Sequence, residues 1–327
     1  FFFKQKTAYE IYQCDWSSDV CSSDLYSGGV ITGGRHGINL SYSSGVNSTT
    51  SSITVTNNTG GQIIGRNGSG FGSDASGVVV NYGLIEGTAD SIAGVANGDG
   101  DGVDIDYAAT ITNYGTIRGT GAKGVDSTGH ANLSEGLSIG GGTVDNKAGA
   151  TISGYGRGIT VTGNDVSSTV TDKAYFAANI TNAGTIEGLG LAAGGGGGAA
   201  IRIYSDLANT ITNSGTISGA GSEAAIWIIG TGNDTITNSG TITATGTGYA
   251  IQFDAGNDTL NIRSGSVING TVDGGAGTDT VDLNGTGTAA APDTFAGAID
   301  FETMTVSGGV WRLTGTSQAY EIGRAHV

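Results

Sequence analysis

The stretch Ile-Thr-Asn-Ser-Gly-Thr-Ile-Ser-Gly at residues 211–219 is followed by Ile-Thr-Asn-Ser-Gly-Thr-Ile at residues 236–242. Its centre, Asn-x-Gly-x-Ile, recurs along the chain, and self-similarity at intervals of tens of residues is typical of repeat proteins. Successive copies from Asn81 onward are 32, 33, 36, 31 and 25 residues apart. Their first residues are Asn81, Asn113, Asn182, Asn213 and Asn238, with looser copies at Asn57 and Asn146.

A second phrase lies between these copies and consists of a small residue followed by apolar-x-apolar. Both phrases alternate apolar and polar side chains, which is the pattern of short strands with one buried face. Gly and Asn at their edges are the residues that tight corners require. The copies are Gly102–Ile105, Gly158–Val161, Ala200–Ile203, Ala225–Ile228 and Ala250–Phe253.

The shortest repeat predicts the architecture. Thr235–Asn238, Thr241–Thr243 and Ala250–Phe253 are three strand-like runs within 25 residues, and they are too short to pair as hairpins at this spacing. They can instead stack on the equivalent runs one repeat later, about 4.8 Å away. We therefore predict an all-β chain that forms a right-handed parallel β-helix, or solenoid, with three short strands per coil.

The alternation also predicts which side chains are buried. We expect Ile111, Ile211 and Ile236 to face the core, and the threonines that follow each of them to face solvent. A β-sandwich is the main alternative, since it also contains many short Thr- and Gly-rich strands. It would not explain why one phrase recurs in one register.

Composition excludes several other classes of protein. The chain has 62 glycines and one proline without a Gly-X-Y period, so it is not collagen. No window approaches 18 consecutive apolar residues, which a membrane-spanning helix requires. The net charge is −16, and the 13 Lys and Arg are scattered, which disfavours binding to nucleic acid.

The two ends of the chain are related through the genetic code. Residues 19–25 can be written as GAC GTG TGC TCT TCC GAT CT, and the reverse complement encodes the C-terminal residues 322–327. Both ends resemble translated sequencing-library adapter, and a genuine N-terminal tail leaves this match unexplained. We interpret residues 1–25 and 321–327 as adapter-derived artefact and expect neither to pack as a regular coil. Both cysteines, Cys14 and Cys21, lie within the first segment.

The remaining residues, 26–320, resemble the passenger region of type V autotransporters. The phrases at 211–219 and 236–242 look like passenger repeats of that family, and we assign residues 26–285 to them. The segment Phe-Glu-Thr-Met-Thr-Val-Ser-Gly-Gly-Val-Trp-Arg-Leu-Thr-Gly at 301–315 is similar to the stretch that precedes the family's outer-membrane β-barrel. The resemblance thus implies that residues 286–320 end the passenger, before a barrel that the given chain lacks.

The resemblance implies a surface-exposed or released passenger, which in this family is often an adhesin. Because the residues contain no recognisable catalytic site, we expect a structural stalk and adhesin without catalysis and without a cofactor. Its expected partners are a host or cell-surface protein or glycan, together with the β-barrel of the same chain. Its expected location is extracellular or at the cell surface, attached through that barrel. Because fold does not determine activity, a secreted carbohydrate-active β-helix, of polysaccharide lyase or hydrolase type, is the alternative.

Few residues could carry catalysis. Outside the presumed adapter the histidines are His36 and His130, and neither lies in a nucleophile motif, so we expect both to be surface or loop residues. The densest acidic run is Asp99, Asp101, Asp104 and Asp106, which we interpret as a loop entering a strand. We expect its last two carboxylates to lie on the solvent face; catalysis or adventitious calcium binding there is the alternative.

A calcium motif is present, but its spacing is unusual. Residues 274–282 fit the nonapeptide of calcium β-rolls, and partial copies include Asp234 and Asp258. With Asp279 these residues are 24 and 21 positions apart, once per coil, whereas β-roll sites share ligands between tandem nonapeptides. We therefore predict a corner ladder of carboxylates and keep Asp258 and Asp279 as candidates for a calcium ladder.

One aromatic residue is a candidate for binding. Trp227 lies between Ile226 and Ile228, so it points outward if they point inward. An outward Trp on a strand can contact a sugar or a partner protein, unless a loop covers it.

Overall fold

The computed structural model describes residues 20–41, 50–90, 98–124, 132–163, 173–190, 197–246, 248–315 and 321–323. These residues form strands and turns and no helix. The strands lie in three long sheets, which the chain visits in the order A, B, C in coil after coil. The predicted parallel β-helix with three strands per coil is therefore confirmed. None of the described segments is a helix long and apolar enough to cross a membrane.

Sheet A has twelve strands: β1 (Val20–Leu25), β4 (Ser52–Asn57), β8 (Ser76–Asn81), β12 (Ala109–Asn113), β16 (Gly142–Asn146), β19 (Ala178–Asn182), β22 (Thr210–Asn213), β25 (Thr235–Asn238), β29 (Thr259–Arg263), β33 (Thr280–Asn284), β35 (Thr303–Gly308) and β37 (Glu321–Gly323). Sheet B has ten: β2 (Val30–Gly33), β5 (Gln62–Gly65), β6 (Asn67–Gly68), β9 (Leu84–Ala89), β13 (Thr116–Gly119), β17 (Thr151–Gly154), β20 (Thr185–Gly188), β23 (Thr216–Gly219), β26 (Thr241–Ala244) and β30 (Val267–Asn269). Sheet C has nine: β3 (Ile38–Leu40), β7 (Phe71–Ser73), β11 (Val103–Ile105), β15 (Leu137–Ile139), β18 (Ile159–Val161), β21 (Ile201–Tyr204), β24 (Ile226–Ile229), β27 (Tyr249–Gln252) and β31 (Thr271–Asp273). Three short pairs complete the set: β10 (Gly98–Gly100) with β14 (Gly121–Lys123), β28 (Ala255–Gly256) with β32 (Ala276–Gly277), and β34 (Asp293–Phe295) with β36 (Trp311–Leu313).

The core is a column of Ile, Val and Leu side chains enclosed by the three sheets. Ile111, Ile211 and Ile236 are at most 1% exposed, as the alternation predicts, and the threonines that follow them face outward. Burying one such side chain stabilises the fold by about 1.5–3 kcal/mol. Strand register keeps each Ile above its equivalent in the preceding coil, for example Ile211 beside Ile180 and Ile236.

The corner between sheets A and B contains the asparagines of the repeated phrase, stacked into a continuous amide ladder. Each Nδ2 donates to the Oδ1 of the asparagine one coil later, at 2.8–2.9 Å. Each also donates to backbone carbonyls at the corner, as Asn113 does to Gly115 and Thr151. The last amide, Asn238, donates to Ser266 Oγ at 2.6 Å. The buried members of this amide ladder are Asn57, Asn81, Asn113, Asn146, Asn182, Asn213 and Asn238.

The packing prediction for the two ends is wrong for residues 20–25 and 321–323, whereas residues 1–19 and 324–327 lie outside the described residues. Strand β1 pairs in parallel with β4 over six residues, Leu25 is 3% exposed, and β37 pairs with β35. The last coil of a solenoid exposes a row of backbone donors and acceptors, and an adjacent extended segment of almost any sequence can satisfy them. Leu25 occupies the ladder position but has no donor, and the buried Oδ1 of Asn57 has no hydrogen-bond partner. The adapter interpretation rests on the codons and stays a prediction, which sequencing reads mapped to the source locus would test.

Sheets B and C end before sheet A. Strands β30 and β31 close their hydrogen-bonded orders in the same coil, while β34 and β36 form a separate pair. Cavities of about 150 and 260 Å³ lie between β30 and this pair, lined by Val267 on one side and Thr294 on the other. In sheet A, by contrast, pairing continues from β29 through β33 to β35.

Candidate functional site

Two groups of carboxylates are buried in this fold, and the first lies at the corner between sheets C and A. The residue that enters each sheet A strand there points inward, because the next inward position is the core Ile or Leu. In the first half of the chain this position holds small residues, such as Ala109, Gly142 and Ala178. In the second half it holds Asn209, Asp234, Asp258 and Asp279, which are at most 3% exposed; Glu302, at the equivalent place in the next coil, is exposed.

These side chains form a second ladder, which we call the carboxylate ladder (Asn209, Asp234, Asp258, Asp279 and Glu302). Asp258 Oδ1 accepts the backbone N–H of Asp234 at 2.7 Å, and Asp279 Oδ1 accepts that of Asp258 at 2.6 Å. Glu302 Oε2 accepts the N–H of Asp279 at 2.7 Å. Each carboxylate therefore fixes the backbone of the coil before it, which is the corner ladder that the once-per-coil spacing predicts.

The second oxygen of two of these carboxyls has no partner. Oδ2 of Asp258 and Oδ2 of Asp279 are buried and accept no hydrogen bond. Burial raises the pKa of Asp258 to about 7, and the neighbouring charges of Asp234 and Asp279 add to it. Burial likewise raises the pKa of Asp279 to about 6, with contributions from Glu302, Asp273 and Asp300.

The geometry gives a calcium site little support. Calcium takes six to eight oxygen ligands, whereas the ladder supplies one carboxylate per coil, with one oxygen of each already bonded to an N–H. Among the described residues no three His, Cys, Asp or Glu side chains converge on a position that could hold a metal ion. Calcium binding by Asp258 and Asp279 stays a prediction, with a test given below.

The second group lies where sheet B turns into sheet C. Asp101, Glu135 and Arg157 each precede the glycine that opens a sheet C strand, so they stack in three consecutive coils. Asp101 Oδ1 accepts the N–H of Glu135 at 2.7 Å, and Glu135 Oε1 lies 3.4 Å from Arg157 Nη1. Arg157 also makes a bidentate ion pair with Glu223, with bonds of 2.7 and 2.6 Å.

This cluster, which we call the corner acid network (Asp101, Glu135, Arg157 and Glu223), holds more carboxylates than cations. Burial raises the pKa of Asp101 well above its usual value, and the charges of Glu135 and Asp99 add to this. Burial also raises the pKa of Glu135, although Arg157 opposes the effect. For Glu223 burial alone would raise the pKa, but the hydrogen bonds and charge of Arg157 lower it overall.

The acidic run is more structured than the expected loop. Asp99 lies on β10 and is exposed, whereas Asp101 is 4% exposed at the corner. Asp104 lies on the outer face of sheet C but is half-buried, and burial raises its pKa well above its usual value. Asp106 is also half-buried, and burial raises its pKa to about 6. The sequence analysis did not predict that Asp101 is buried and that Asp104 and Asp106 are half-buried.

Trp227 points outward from sheet C, between the buried Ile226 and Ile228. It is half-buried, and the guanidinium carbon of Arg202 lies 5.4 Å from the centre of its ring. Arg202 belongs to the preceding coil and Gln252 to the next, in the same outward row. Trp227 thus stands in a polar row, with Arg202 packed over its ring.

The two histidines contribute no nucleophile pair within the described residues. His36 is half-buried, and its Nδ1 accepts the N–H of Ser69 at 3.2 Å. Burial, with the nearby charge of Arg35, lowers its pKa to about 4, so at neutral pH it is an uncharged acceptor. His130 lies outside the described residues.

Glu135, Arg157 and Glu223 were not selected from the sequence, because they come from different coils and form no local motif. Their signal is the repeat position: Asp101, Glu135 and Arg157 all stand before a Gly-apolar-x-apolar phrase. In comparisons with known proteins, no protein family, no curated protein and no solved structure is significantly similar to this chain.

Proposed function

We propose that residues 26–320 belong to a surface-exposed passenger of the autotransporter type, which acts as a structural stalk and adhesin without catalysis. The observation that supports this most directly is the unbroken parallel pairing of the ten strands of sheet A from β4 to β35, all within residues 26–320. At about 4.8 Å per coil, this part of the sheet is about 45 Å long. A rod of this kind suits a spacer that holds a contact surface away from a membrane.

Exposed aromatic side chains are the candidates for that contact. Tyr82 and Tyr114 stack at 4.6 Å on the outside of the amide ladder, and each is more than 40% exposed. Tyr107, Tyr175 and Phe176 form a second group, with ring centres 4.6 and 6.2 Å apart. Aromatic groups at a protein surface provide large contact area with little loss of conformational entropy on binding. Their expected partner is a host or cell-surface protein or glycan.

Two experiments test this proposal. The first is the uninterrupted genomic reading frame, in which a downstream outer-membrane barrel would support surface attachment and a single secreted domain would contradict it. The second displays the chain on a bacterial surface and measures adhesion to host cells. Replacing Tyr107 and Tyr175 by Ala should reduce adhesion, whereas Thr181→Ala on the outer face of sheet A should not. Equal adhesion by all three displayed chains and by cells without them would refute an adhesive role.

A secreted carbohydrate-active β-helix is the second candidate, favoured by the corner acid network. Glycoside cleavage uses carboxyl groups of which one is kept protonated, and burial raises the pKa values of Asp101 and of Glu135, the second of which lies 3.4 Å from Arg157. The test is release of new chain ends from a panel of polysaccharides. Activity that is lost in Glu135→Gln and kept in Glu187→Gln, a residue on the outside of sheet B, would favour this candidate over the stalk.

A further inference from the structure

The carboxylate ladder is unusual because, among the described residues, none of its carboxylates forms an ion pair with a Lys or Arg. The charged groups nearest Asp258 are Asp234 and Asp279, one coil away on either side. Those facing Asp279 from the segments packed against it are Glu302, Asp273 and Asp300. Among the described residues neither carboxyl lies within ion-pair distance of a Lys or Arg.

One member of the ladder, Asn209, is uncharged, so its contacts can be compared with those of the aspartates. The side chain of Asn209 donates Nδ2–H to Asp234 Oδ1 at 2.8 Å, and its backbone N–H donates to the same oxygen at 2.7 Å. Asp234 thus receives two donors from the preceding coil, whereas Asp258 and Asp279 each receive one. An amide at this position adds a donor that a carboxylate lacks.

Binding a proton is the simplest way to remove the unfavourable free energy of a buried carboxylate that has no counter-charge. Oδ2 of Asp258 and Oδ2 of Asp279 are enclosed, one coil apart, with no donor available to either. Ionising both would place like charges about 4.8 Å apart in a medium of low polarity. Protonation removes this repulsion and leaves each Oδ1 free to keep its backbone N–H.

We propose that the carboxylate ladder is a pH-sensitive element of the fold. When protonated it holds the last coils of the β-helix in register, and its ionisation destabilises those coils while the hydrogen bonds of the amide ladder stay intact. This inference does not rest on the proposed function.

The direction of the pH effect follows from linkage. In an unfolded chain Asp titrates near about 3.9, and the folded chain holds its protons to pH 6–7 at these two sites. The folded state therefore binds more protons between about pH 4 and 7, and stability falls as pH rises through this window. The coils at β29 and β33 are accordingly best protected near pH 4–5 and least protected above pH 7.

Hydrogen–deuterium exchange of the full 327-residue chain tests this, with chelator present and correction for intrinsic exchange rates. Between pH 5 and pH 8 the protection of amides in β29 and β33 should fall at least about tenfold, because one pKa unit corresponds to a factor of ten. Amides in β16, which lies on sheet A two coils before Asn209 and contains no member of either carboxylate group, should change by less than about threefold.

A pair of matched variants assigns the effect to the ladder. Asp258→Asn should make the pH-dependent change in β29 and β33 at least about threefold smaller than in the unmodified chain, because only Asp279 of the pair then titrates, and should raise their protection at pH 8. Asp254→Asn removes the same charge from an exposed position of the same coil, and should leave the tenfold change in place. Both variants keep the core residues, so folding can be verified by circular dichroism.

Three outcomes would overturn the proposal. The first is equal protection of β29 and β33 at pH 5 and pH 8 in the unmodified chain. The second is an unchanged pH dependence in Asp258→Asn. The third is full recovery of protection at pH 8 on adding calcium, which would make the ladder a cation site.

Discussion

The amide ladder and the carboxylate ladder occupy two corners of the same coil, but their stacked side chains form different hydrogen bonds. An asparagine side chain carries both a donor and an acceptor, so Asn146 accepts from Asn113 and donates to Asn182. An ionised aspartate only accepts, so Asp258 bonds to the backbone of Asp234 and leaves Oδ2 without a partner. Amides can therefore stack indefinitely without charge, whereas stacked carboxylates need protons. The difference makes one corner insensitive to pH and the other responsive to it.

The most damaging change should be a charge placed between the two ladders. Ile211 on β22 lies between Asn209, which precedes the strand, and Asn213, which ends it; these are members of the two ladders, and Ile211 is 1% exposed. We expect Ile211→Asp to lower the free energy of unfolding by about 4–5 kcal/mol, because it removes core packing and buries an unpaired carboxylate. Chemical unfolding followed by circular dichroism measures this.

Thr212→Asp is its control, since Thr212 is exposed on the outer face of the same strand. It should cost less than about 1 kcal/mol. Similar losses from the two substitutions would mean that the register is wrong.

Converting one rung of the amide ladder into a carboxylate should be the next largest effect. Asn146→Asp keeps the acceptor for Asn113 but loses the donor to Asn182 Oδ1, leaving two oxygens facing each other. We expect a loss of about 3 kcal/mol at pH 7 and a smaller loss at pH 5, where protonation restores a donor. Urea unfolding at both pH values measures the difference.

Asn179→Asp makes the same chemical change at an exposed position, where the Thr210 hydroxyl can still donate to the side chain. Its cost should be below about 0.5 kcal/mol. A pH-independent loss in Asn146→Asp would contradict the stated role of the amide donor.

The reverse conversion should stabilise the protein. Asp279→Asn supplies an amide donor opposite Glu302 and removes a buried charge whose pKa is raised to about 6. We expect a gain of about 1 kcal/mol at pH 8 and little gain at pH 5, where the aspartate of the unmodified chain is already protonated. A gain of the same size at pH 5 would show that the substitution acts through packing instead of charge.

The smallest effect should come from removing metal ions. Because the core and strand pairing hold the coils together, the chain should keep its β-type circular dichroism in excess chelator. Its melting temperature should fall by less than about 2 °C. Loss of the strand signal on chelation and its return with calcium would show that the carboxylate ladder of Asp258 and Asp279 depends on calcium.

The repeated phrases predicted the parts of the fold that depend on local periodicity. The inward isoleucines, the three strands per coil and the once-per-coil aspartates all follow from the spacing of residues such as Ile236 and Asp258. The pairing of β1 did not follow, because backbone hydrogen bonding at an open sheet edge does not require a matching side chain. The corner acid network did not follow either, since Arg157 and Glu223 are separated by 66 residues and meet only after the coils stack.

The amide ladder also has a direction, because each of its asparagines donates toward the C-terminal coil and all but the first, Asn57, accept from the N-terminal one. A segment that runs from one ladder asparagine to the next therefore presents the same side-chain donor and acceptor at both of its ends. Removing residues 214–238 would bring Ser239-Gly240-Thr241-Ile242 directly after Asn213, recreating the phrase Asn-Ser-Gly-Thr-Ile. A gene encoding such coils can thus lose or duplicate whole repeats by recombination between the near-identical sequences that encode these phrases. The length of the β-helix can then change without any substitution being needed to restore the hydrogen bonds of the ladder.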